Sequence, residues 1–360
     1  MIRPVPHVQA MAPYALAKME APPGASLLSL SQNESLRPPS PAAIAASSKA
    51  LMDGALYPDP DWSELRENLL SHFMISAGEV LCGNGSLDLI GCIARTYSGS
   101  DRAVLAPEHA YPFFRSAAQM AGARFDTAPE NGVTVSVDNL LGAVRPDTAI
   151  VFVANPGNPT GTRIPKSELY RLRSEMPDDV LLVIDEAYGE FADHIGESCF
   201  DMVAGTNTIV LRTFSKAYGL AGCRVGWGVF PEFIASEVQK VMNPNNIASA
   251  SQVAAYAALS DQEYMRETCA LTASIRDATA EQLRDVGINV FDSSTNFLLI
   301  DFFDAKAAQS ADSFLRSKGA FLRPQSGAGL PHMLRMTVGS EEAMETVVDN
   351  LKNWREENTP

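Results

Sequence analysis

The stretch TIVLRTFSKAYGLAGCRVGWG, residues 208–228, decides the fold of this chain. Its apolar run at residues 209–211 predicts a buried strand, and residues 225–230 form a second apolar run. Between the two runs the sequence is polar, basic or rich in glycine, so the chain is expected to turn there. A buried strand that ends in such a loop is typical of an α/β sheet, whose ligands bind at the carboxyl ends of the strands.

Lys216 lies just past the end of the first of these strands. Burial disfavours the charged form of a lysine there and lets the amine attack a carbonyl group. Ser215 and Arg224 add a hydroxyl and a fixed cation, which are the groups that bind a phosphate. An amine beside a phosphate site is typical of pyridoxal phosphate held as a Schiff base. The alternative is an ordinary exposed lysine, because most lysines lie at the surface.

The composition excludes several classes of protein. The chain has 360 residues, which exceeds one ordinary core, so we expect two domains or one large α/β domain. Its net charge of −15 argues against nucleic acid as a partner, because a nucleic-acid site needs clustered basic residues. The sequence contains no apolar run of about 18 residues, so no membrane span is expected.

The cysteines and histidines indicate neither disulfides nor a metal site. The five cysteines are scattered at irregular spacing and form no CxxC pair, which fits reduced thiols in a cytoplasmic protein. The N-terminal residues lack the apolar core of a signal peptide, which fits the same location. The five histidines form no cluster with metal-ligand spacing.

Other predicted strands also end in loops that carry polar side chains. The apolar runs 103–106, 148–154 and 180–184 are followed by such loops, and the second of them reads NPGNPTG. Because ligands bind at the carboxyl ends of parallel strands, we expect the side chains after these ends to converge. The residues concerned are Tyr111, Asn158, Asp185, Tyr188, Ser215 and Lys216.

A glycine-rich stretch, LCGNGS at residues 81–86, predicts a turn that precedes a helix over residues 87–97. Small residues at the start of a helix expose backbone N–H groups to an anion. A dinucleotide-binding fingerprint needs a further glycine three residues after Gly85, where Asp88 stands, so that fold is not expected. Alone, this stretch is a weak signal.

The pattern of elements changes near residue 260. A long predicted helix is followed by short strands of antiparallel character and a final amphipathic helix, as in a small α+β domain. We expect residues 1–40 to form an N-terminal arm and part of the small domain. Residues 41–260 are expected to form the large domain, and residues 261–360 the small domain.

Three sequence blocks resemble a known family. NPGNPTG at 155–161, IDEAY at 184–188 and FSKAYGLAGCRVGW at 214–227 resemble, in this order and spacing, the fold-type-I pyridoxal-phosphate-dependent aminotransferases of class I/II. Within that group the chain is most similar to the histidinol-phosphate aminotransferase branch, on the stretches YPDP, GNGSLD, STNFLLID and FLRP…LRMTVG. The resemblance covers nearly the whole chain after about residue 27. It implies the α/β fold of aspartate aminotransferase, with a mostly parallel seven-stranded sheet between helices and a small α+β domain.

The resemblance also implies a set of catalytic residues and pyridoxal 5'-phosphate as the cofactor. Lys216 would bind the cofactor aldehyde and then move the proton between the substrate Cα and the cofactor. Asp185 would pair with the ring nitrogen. Asn158 and Tyr188 would hydrogen-bond the phenolic oxygen of the cofactor, and Tyr111 would stack on its ring.

The same resemblance implies residues that hold the cofactor phosphate. Tyr57 would reach the phosphate in the neighbouring subunit, so a homodimer with shared active sites is expected. The residues that would bind the phosphate within one chain are Gly85, Ser86, Thr213, Ser215 and Arg224.

The resemblance further implies substrate-binding residues in the small domain and the N-terminal segment. Arg335 would clamp a substrate carboxylate in a bidentate pair, Arg323 would face the substrate side chain, and Asn296 would line the same pocket. Residues 35–37, Ser-Leu-Arg, stand where histidinol-phosphate enzymes usually carry an aromatic residue. Arg37 with Arg323 could bind a phosphate or carboxylate tail, whereas the leucine at position 36 could favour an aromatic or aliphatic side chain.

The implied activity is transfer of an amino group between an amino acid or amino-alcohol phosphate and a 2-oxo acid, with 2-oxoglutarate as the expected acceptor. One alternative is a decarboxylase similar to the threonine-phosphate decarboxylases, which keep the same lysine, aspartate and arginine set. Release of carbon dioxide without formation of an oxo acid would select it. A second alternative, a sensor domain without catalysis, lacks support because the chain has no helix-turn-helix extension or basic segment.

Overall fold

Helices and strands alternate along most of the chain. The computed structural model describes residues 2–13, 27–196 and 198–358. The strands among these residues are β1 (Leu28–Ser29), β2 (Glu79–Asn84), β3 (Ala103–Pro107), β4 (Phe125–Ala128), β5 (Thr148–Ala154), β6 (Leu181–Asp185), β7 (Thr208–Thr213), β8 (Val225–Phe230), β9 (Asn289–Val290), β10 (Phe297–Asp301), β11 (Ala320–Phe321), β12 (Arg323–Gln325) and β13 (Leu330–Thr337). The α-helices among them are α1 (Pro6–Gln9), α2 (Pro41–Ala50), α3 (Ser63–His72), α4 (Ser86–Tyr97), α5 (Pro112–Met120), α6 (Val137–Ala143), α7 (Lys166–Glu175), α8 (Glu232–Gln239), α9 (Ser249–Ser260), α10 (Gln262–Asp285), α11 (Ala305–Ser317) and α12 (Glu341–Asn358).

A seven-stranded sheet lies at the centre of the larger core, in the order β2-β8-β7-β6-β5-β3-β4. Strands β7, β6, β5, β3 and β4 pair in parallel, and β8 pairs antiparallel with both β7 and β2. The inner strands are buried along nearly their whole length. Both faces are therefore covered, which is why these strands are continuous apolar runs in the sequence. The predicted α/β fold with a mostly parallel seven-stranded sheet is confirmed.

The glycine-rich stretch differs from its prediction. Residues 81–84 belong to strand β2, which pairs with β8 from Glu79 opposite Phe230 to Asn84 opposite Val225. The turn consists of Gly85, whose φ of +79° lies in the region that favours glycine. The turn expected over residues 81–86 was wrong for residues 81–84, because Gly83 lies within the strand and Gly85 alone turns the chain.

The smaller core surrounds an antiparallel sheet in the order β12-β13-β10-β9. Its apolar side chains come from β9, β10 and β13 of this sheet and from α10, α11 and α12. The N-terminal segment joins this core, because β1 pairs in parallel with β11 and Leu30 packs in the same cluster. The expected domain boundaries near residues 40 and 260 stay predictions.

Helix α10 connects the two cores. Met265, near its start, packs in the larger core, and Ile275 and Leu283 pack in the smaller one. Of the expected N-terminal segment 1–40, residue 1 and residues 14–26 lie outside the described residues. Within the described ranges, no helix is both long enough and apolar enough to cross a bilayer.

Candidate active site

A cavity of about 480 Å³ lies between the carboxyl ends of β5, β6 and β7, the segment 31–34, and strands β12 and β13. Its volume is in the range of small-molecule sites. It therefore receives side chains from both cores, as the convergence of strand ends predicted. The predicted site residues that line it are Ser86, Tyr111, Asn158, Asp185, Tyr188, Thr213, Ser215, Lys216, Arg224, Arg323 and Arg335.

Lys216 presents an amine to this cavity. Its Nζ donates to the carbonyl oxygens of Gln32 at 3.3 Å and Asn33 at 3.0 Å. Burial, and after it the nearby charges of Arg335 and Arg224, lower the pKa of this amine from 10.5 to about 7. A substantial fraction is therefore unprotonated at neutral pH, and the unprotonated amine is the form that attacks a carbonyl group.

Asp185 is the last residue of β6 and is 5% exposed. Its Oδ1 accepts a hydrogen bond from the backbone N–H of Ala187 at 3.1 Å. Burial raises the pKa of this carboxyl to about 7, and the charge of the adjacent Glu186 acts in the same direction. A buried carboxylate needs a cation or a donor to offset the loss of water, so this group is suited to pair with a protonated ring nitrogen.

Hydroxyl groups and a guanidinium form an anion site at the end of β7. The Thr213 hydroxyl donates to Ser215 Oγ at 3.0 Å, and Arg224 Nη1 donates to the same oxygen at 3.4 Å. The N-terminus of α4 lies beside this group, because a Cβ at Gly85 would stand 2.5 Å from Arg224 Nη2. The N-cap residue of α4 is Gly85, which has no side chain to make a capping hydrogen bond with the first backbone N–H groups of the helix. Backbone donors, hydroxyls and a fixed positive charge therefore meet in one place, as a phosphate requires.

Arg335 and Asn158 are held together on the opposite side of the cavity. Arg335 Nη1 donates to Asn158 Oδ1 at 2.6 Å, and Nη2 donates to the carbonyl oxygen of Ser31 at 2.8 Å. Because Oδ1 of Asn158 accepts this bond, the amide directs its N–H donors elsewhere. Tyr188, which is buried, accepts a hydrogen bond from Asn33 Nδ2 at 2.7 Å.

Four predicted site residues do not line the cavity: Tyr57, Arg37, Asn296 and Gly85, the last of which directly precedes the lining residue Ser86. Tyr57 is 88% exposed and does not reach the cavity of its own chain. The Arg37 guanidinium pairs with Glu267 at 3.1 Å and lies 3.8 Å from the ring centre of Tyr264, and its expected role in substrate binding stays a prediction. These two partners hold it outside the cavity.

The substrate side of the cavity differs from its prediction at Asn296 and at residues 31–34. Asn296 was expected to line the pocket, but it is buried behind the wall, where Nδ2 donates to the carbonyl oxygens of Asn33 and Glu34. Residues 31–34 form this wall of the cavity, and Gln325 also lines the cavity. No site role was predicted from the sequence for either. The run SQNES at residues 31–35 was the available signal, because five polar or charged residues directly follow the leucine-rich run LLSL at residues 27–30.

Comparison with known proteins identifies the family. The family model described as "Aminotransferase class I and II" matches residues 25–351. The chain belongs to the class I and II aminotransferases. This aminotransferase is 37% identical to the histidinol-phosphate aminotransferase of Granulibacter bethesdensis, over 97% of this chain and 95% of that protein. It is 40% identical to the histidinol-phosphate aminotransferase of Paramagnetospirillum magneticum, over 98% of each chain.

A solved structure supports the same assignment. The histidinol-phosphate aminotransferase from Sinorhizobium meliloti, in complex with pyridoxal-5'-phosphate, is similar to this aminotransferase with a TM-score of 0.92 and 28% sequence identity, over 100% of this chain and 99% of that chain. The predicted family and the predicted transaminase activity are confirmed. The decarboxylase alternative is not favoured, because the relatives carry the name of an aminotransferase.

Proposed function

We propose that this aminotransferase uses pyridoxal 5'-phosphate to move an amino group from an amino-alcohol phosphate of the histidinol-phosphate type to a 2-oxo acid, with 2-oxoglutarate as the acceptor. The observation that carries the proposal is one cavity in which the Lys216 amine, the Asp185 carboxyl and a phosphate-type anion site meet. The names of the relatives support the substrate. When bound, the cofactor supplies an aldehyde that takes up the amino group and a ring that accepts the electron pair of the substrate Cα.

The anion site fits the phosphate of this cofactor. Gly226 of β8 keeps the start of α4 close, because a Cβ at this position would stand 2.1 Å from the backbone nitrogen of Ser86. Because Gly85 has no Cβ, the Arg224 guanidinium can pack against the same helix start. The Ser215 oxygen accepts from Thr213 and Arg224, so Ser215 would direct its own hydroxyl hydrogen to the phosphate. This donor set matches a dianion that carries several acceptor oxygens.

The remaining walls fit the ring of the cofactor. Asp185 would hold a proton on the ring nitrogen, because a buried carboxylate is stabilised by a cationic partner. Tyr111, which packs edge-on against Phe114, would cover one ring face. Asn158 and Tyr188 would donate to the phenolic oxygen and hold the ring in orientation.

Lys216 would carry the proton of the reaction. Its pKa of about 7 allows the amine both to take a proton from the substrate Cα and to return it at neutral pH. The carbonyl oxygens of Gln32 and Asn33 accept from Nζ and so limit the directions in which the amine can turn. We therefore assign Lys216, Asp185 and Tyr188 as the catalytic residues.

Two arginines would bind the anionic ends of the substrates. Arg335 would clamp a carboxylate of the 2-oxo acid, since its guanidinium presents parallel donors. Arg323 lines the cavity from β12 and would face the anionic tail of the amino-alcohol phosphate. Arg37 pairs with Glu267 instead of lining the cavity, so we assign it to neither arginine role.

A homodimer with shared active sites completes the proposal. Tyr57 is exposed in the single chain, and the segment just before it exposes Leu51, Met52 and Leu56. Neighbouring exposed apolar side chains mark an interaction surface, and a second copy of this chain would bury them. Tyr57 would then reach the cofactor phosphate of the partner subunit. We expect the enzyme to act in the cytoplasm, where its five free thiols would stay reduced.

A panel of amino donors tests the proposal. The purified enzyme, supplied with pyridoxal phosphate, is mixed with L-histidinol phosphate, aromatic amino acids or glutamate, and the visible absorbance is followed. We expect L-histidinol phosphate and glutamate to convert the spectrum and the Lys216→Ala control to show no conversion. Conversion by aromatic amino acids alone would contradict the proposal that an amino-alcohol phosphate is the substrate. Release of carbon dioxide without an oxo product would contradict the amino transfer.

A further inference from the structure

Asn33 connects the catalytic residues to the smaller core. It is 1% exposed and has a φ of +54°, a left-handed conformation that asparagine tolerates better than most residues. Its backbone N–H donates to Thr337 Oγ1 at 2.9 Å, and its carbonyl oxygen accepts from Lys216 Nζ at 3.0 Å and Asn296 Nδ2 at 3.1 Å. Its side chain donates to the Tyr188 hydroxyl. One residue therefore touches both Lys216 and Tyr188.

The contacts determine which way the Asn33 amide faces. Thr337 Oγ1 accepts from the backbone of Asn33, so its own hydrogen can be donated to Asn33 Oδ1, 3.3 Å away. With Oδ1 facing Thr337, the NH₂ group faces Tyr188 at 2.7 Å. The Tyr188 oxygen accepts this bond, so its hydrogen is donated in another direction. A hydroxyl that accepts a hydrogen bond also becomes a stronger donor.

We propose that Asn33 is a positioning residue of the amino-transfer reaction, whose amide aims the Tyr188 hydroxyl at the cofactor and whose carbonyl oxygen holds the Lys216 amine. The inference rests on the proposed function, because it takes the phenolic oxygen of pyridoxal phosphate as the partner of Tyr188. Thr337 lies two residues after Arg335 on β13, so the two side chains share one face of that strand. Asn33 thus connects strand β13, which carries Arg335, to Lys216 and Tyr188.

The role of Asn33 has a spectroscopic consequence. With the cofactor bound, a hydrogen bond donated by Tyr188 to the phenolic oxygen would make that oxygen a weaker acceptor for the protonated nitrogen of Lys216. The Lys216 nitrogen would then lose its proton at a lower pH, and the visible absorbance would change with it. Loss of the Asn33 amide weakens the Tyr188 hydrogen bond, so the pH midpoint of the absorbance should rise.

Asn33→Gly is the central variant, because glycine adopts the same φ and keeps the backbone contacts to Lys216 and Thr337 while the amide is lost. In the holoenzyme we expect the pH midpoint of the visible absorbance to rise by about 0.5 to 1 unit, as for one neutral hydrogen bond. We expect kcat to fall several-fold with little change in KM. Asn33→Asp should raise the midpoint further, because a carboxylate at this position accepts the Tyr188 hydrogen.

A double variant tests whether Asn33 acts through Tyr188. The holoenzyme of Tyr188→Phe and the holoenzyme that combines Tyr188→Phe with Asn33→Gly should have the same midpoint. Thr337→Val, which leaves the amide in place but removes the hydroxyl that orients it, should give a smaller rise. Two results would overturn the inference and leave the proposed function standing. One is an unchanged pH midpoint in Asn33→Gly, and the other is an effect of Asn33→Gly that adds fully to the effect of Tyr188→Phe. A wild-type protein without a pH-dependent visible band refutes the proposed function as well.

Discussion

The amine of Lys216 should lower the stability of the cofactor-free protein in a pH-dependent way. Burial, and then the charges of Arg335 and Arg224, lower its pKa in the folded protein from 10.5 to about 7. Because the unfolded chain binds this proton more tightly, the folded state loses stability as the pH falls from about 10.5 to about 7. One pKa unit corresponds to about 1.4 kcal/mol, so the loss reaches at most about 5 kcal/mol at low pH.

Lys216→Met measures this effect, because methionine keeps an unbranched side chain and removes the charge. Urea unfolding of cofactor-free wild type and variant, at several pH values between 8 and 10, gives the free energy of unfolding of each. We expect the variant to be the more stable protein at pH 8. The difference between the two proteins should shrink by about 1.2 kcal/mol per pH unit up to pH 10.

Lys240→Met is the matched control, because the Lys240 side chain is 65% exposed and lies outside the cavity. Its free energy of unfolding should run parallel to that of wild type over the same pH range. The reasoning is refuted if Lys216→Met also runs parallel to wild type between pH 8 and 10. In that case the amine titrates as it does in the unfolded chain, and no low-pKa nucleophile is present.

Three further changes test single groups of the site. Arg335→Lys keeps the charge but loses the bidentate geometry, so KM for the 2-oxo acid should rise about 10-fold while cofactor binding is kept; steady-state kinetics and absorbance check both. Asp185→Asn removes the carboxylate that would hold the ring proton, so single-turnover amino transfer should slow at least about 100-fold. Gly226→Ala puts a Cβ 2.1 Å from the Ser86 nitrogen, which should weaken pyridoxal-phosphate affinity and destabilise the fold by about 1–3 kcal/mol, measured by cofactor titration and urea unfolding.

Each of these changes has an outcome that contradicts its argument. Loss of the cofactor from Arg335→Lys would show that this side chain holds the cofactor rather than the substrate. An unchanged transfer rate in Asp185→Asn would mean that the carboxyl does not act on the ring. Unchanged cofactor affinity in Gly226→Ala would mean that the start of α4 does not contact the phosphate.

The inner sheet and most of the cavity wall could be predicted from the sequence, because both depend on local patterns. Strands β5, β6 and β7 are covered on both faces, so each is a continuous apolar run. Because these strands are parallel, the polar residues that follow them all lie at the same edge of the sheet, at the carboxyl ends of the strands. Asp185 and Lys216 were therefore expected to meet, and both line the same cavity.

The remaining site residues depend on contacts between distant parts of the chain. Arg37 is held by Glu267, 230 positions later, and Asn296 is held by backbone oxygens of the N-terminal segment. One sequence carries no signal for such pairs. Asn33 was missed because an asparagine between polar neighbours is typical of an ordinary turn, and its partners Tyr188 and Thr337 lie far along the chain.

Chemical trapping of the lysine tests the central claim most directly. The purified enzyme, supplied with pyridoxal phosphate, is treated with borohydride, digested, and examined by mass spectrometry. The account predicts that the peptide containing Lys216 alone gains the mass of the reduced cofactor, and that Lys216→Ala gains none. Modification of another lysine in its place, or of no lysine at all, would contradict it.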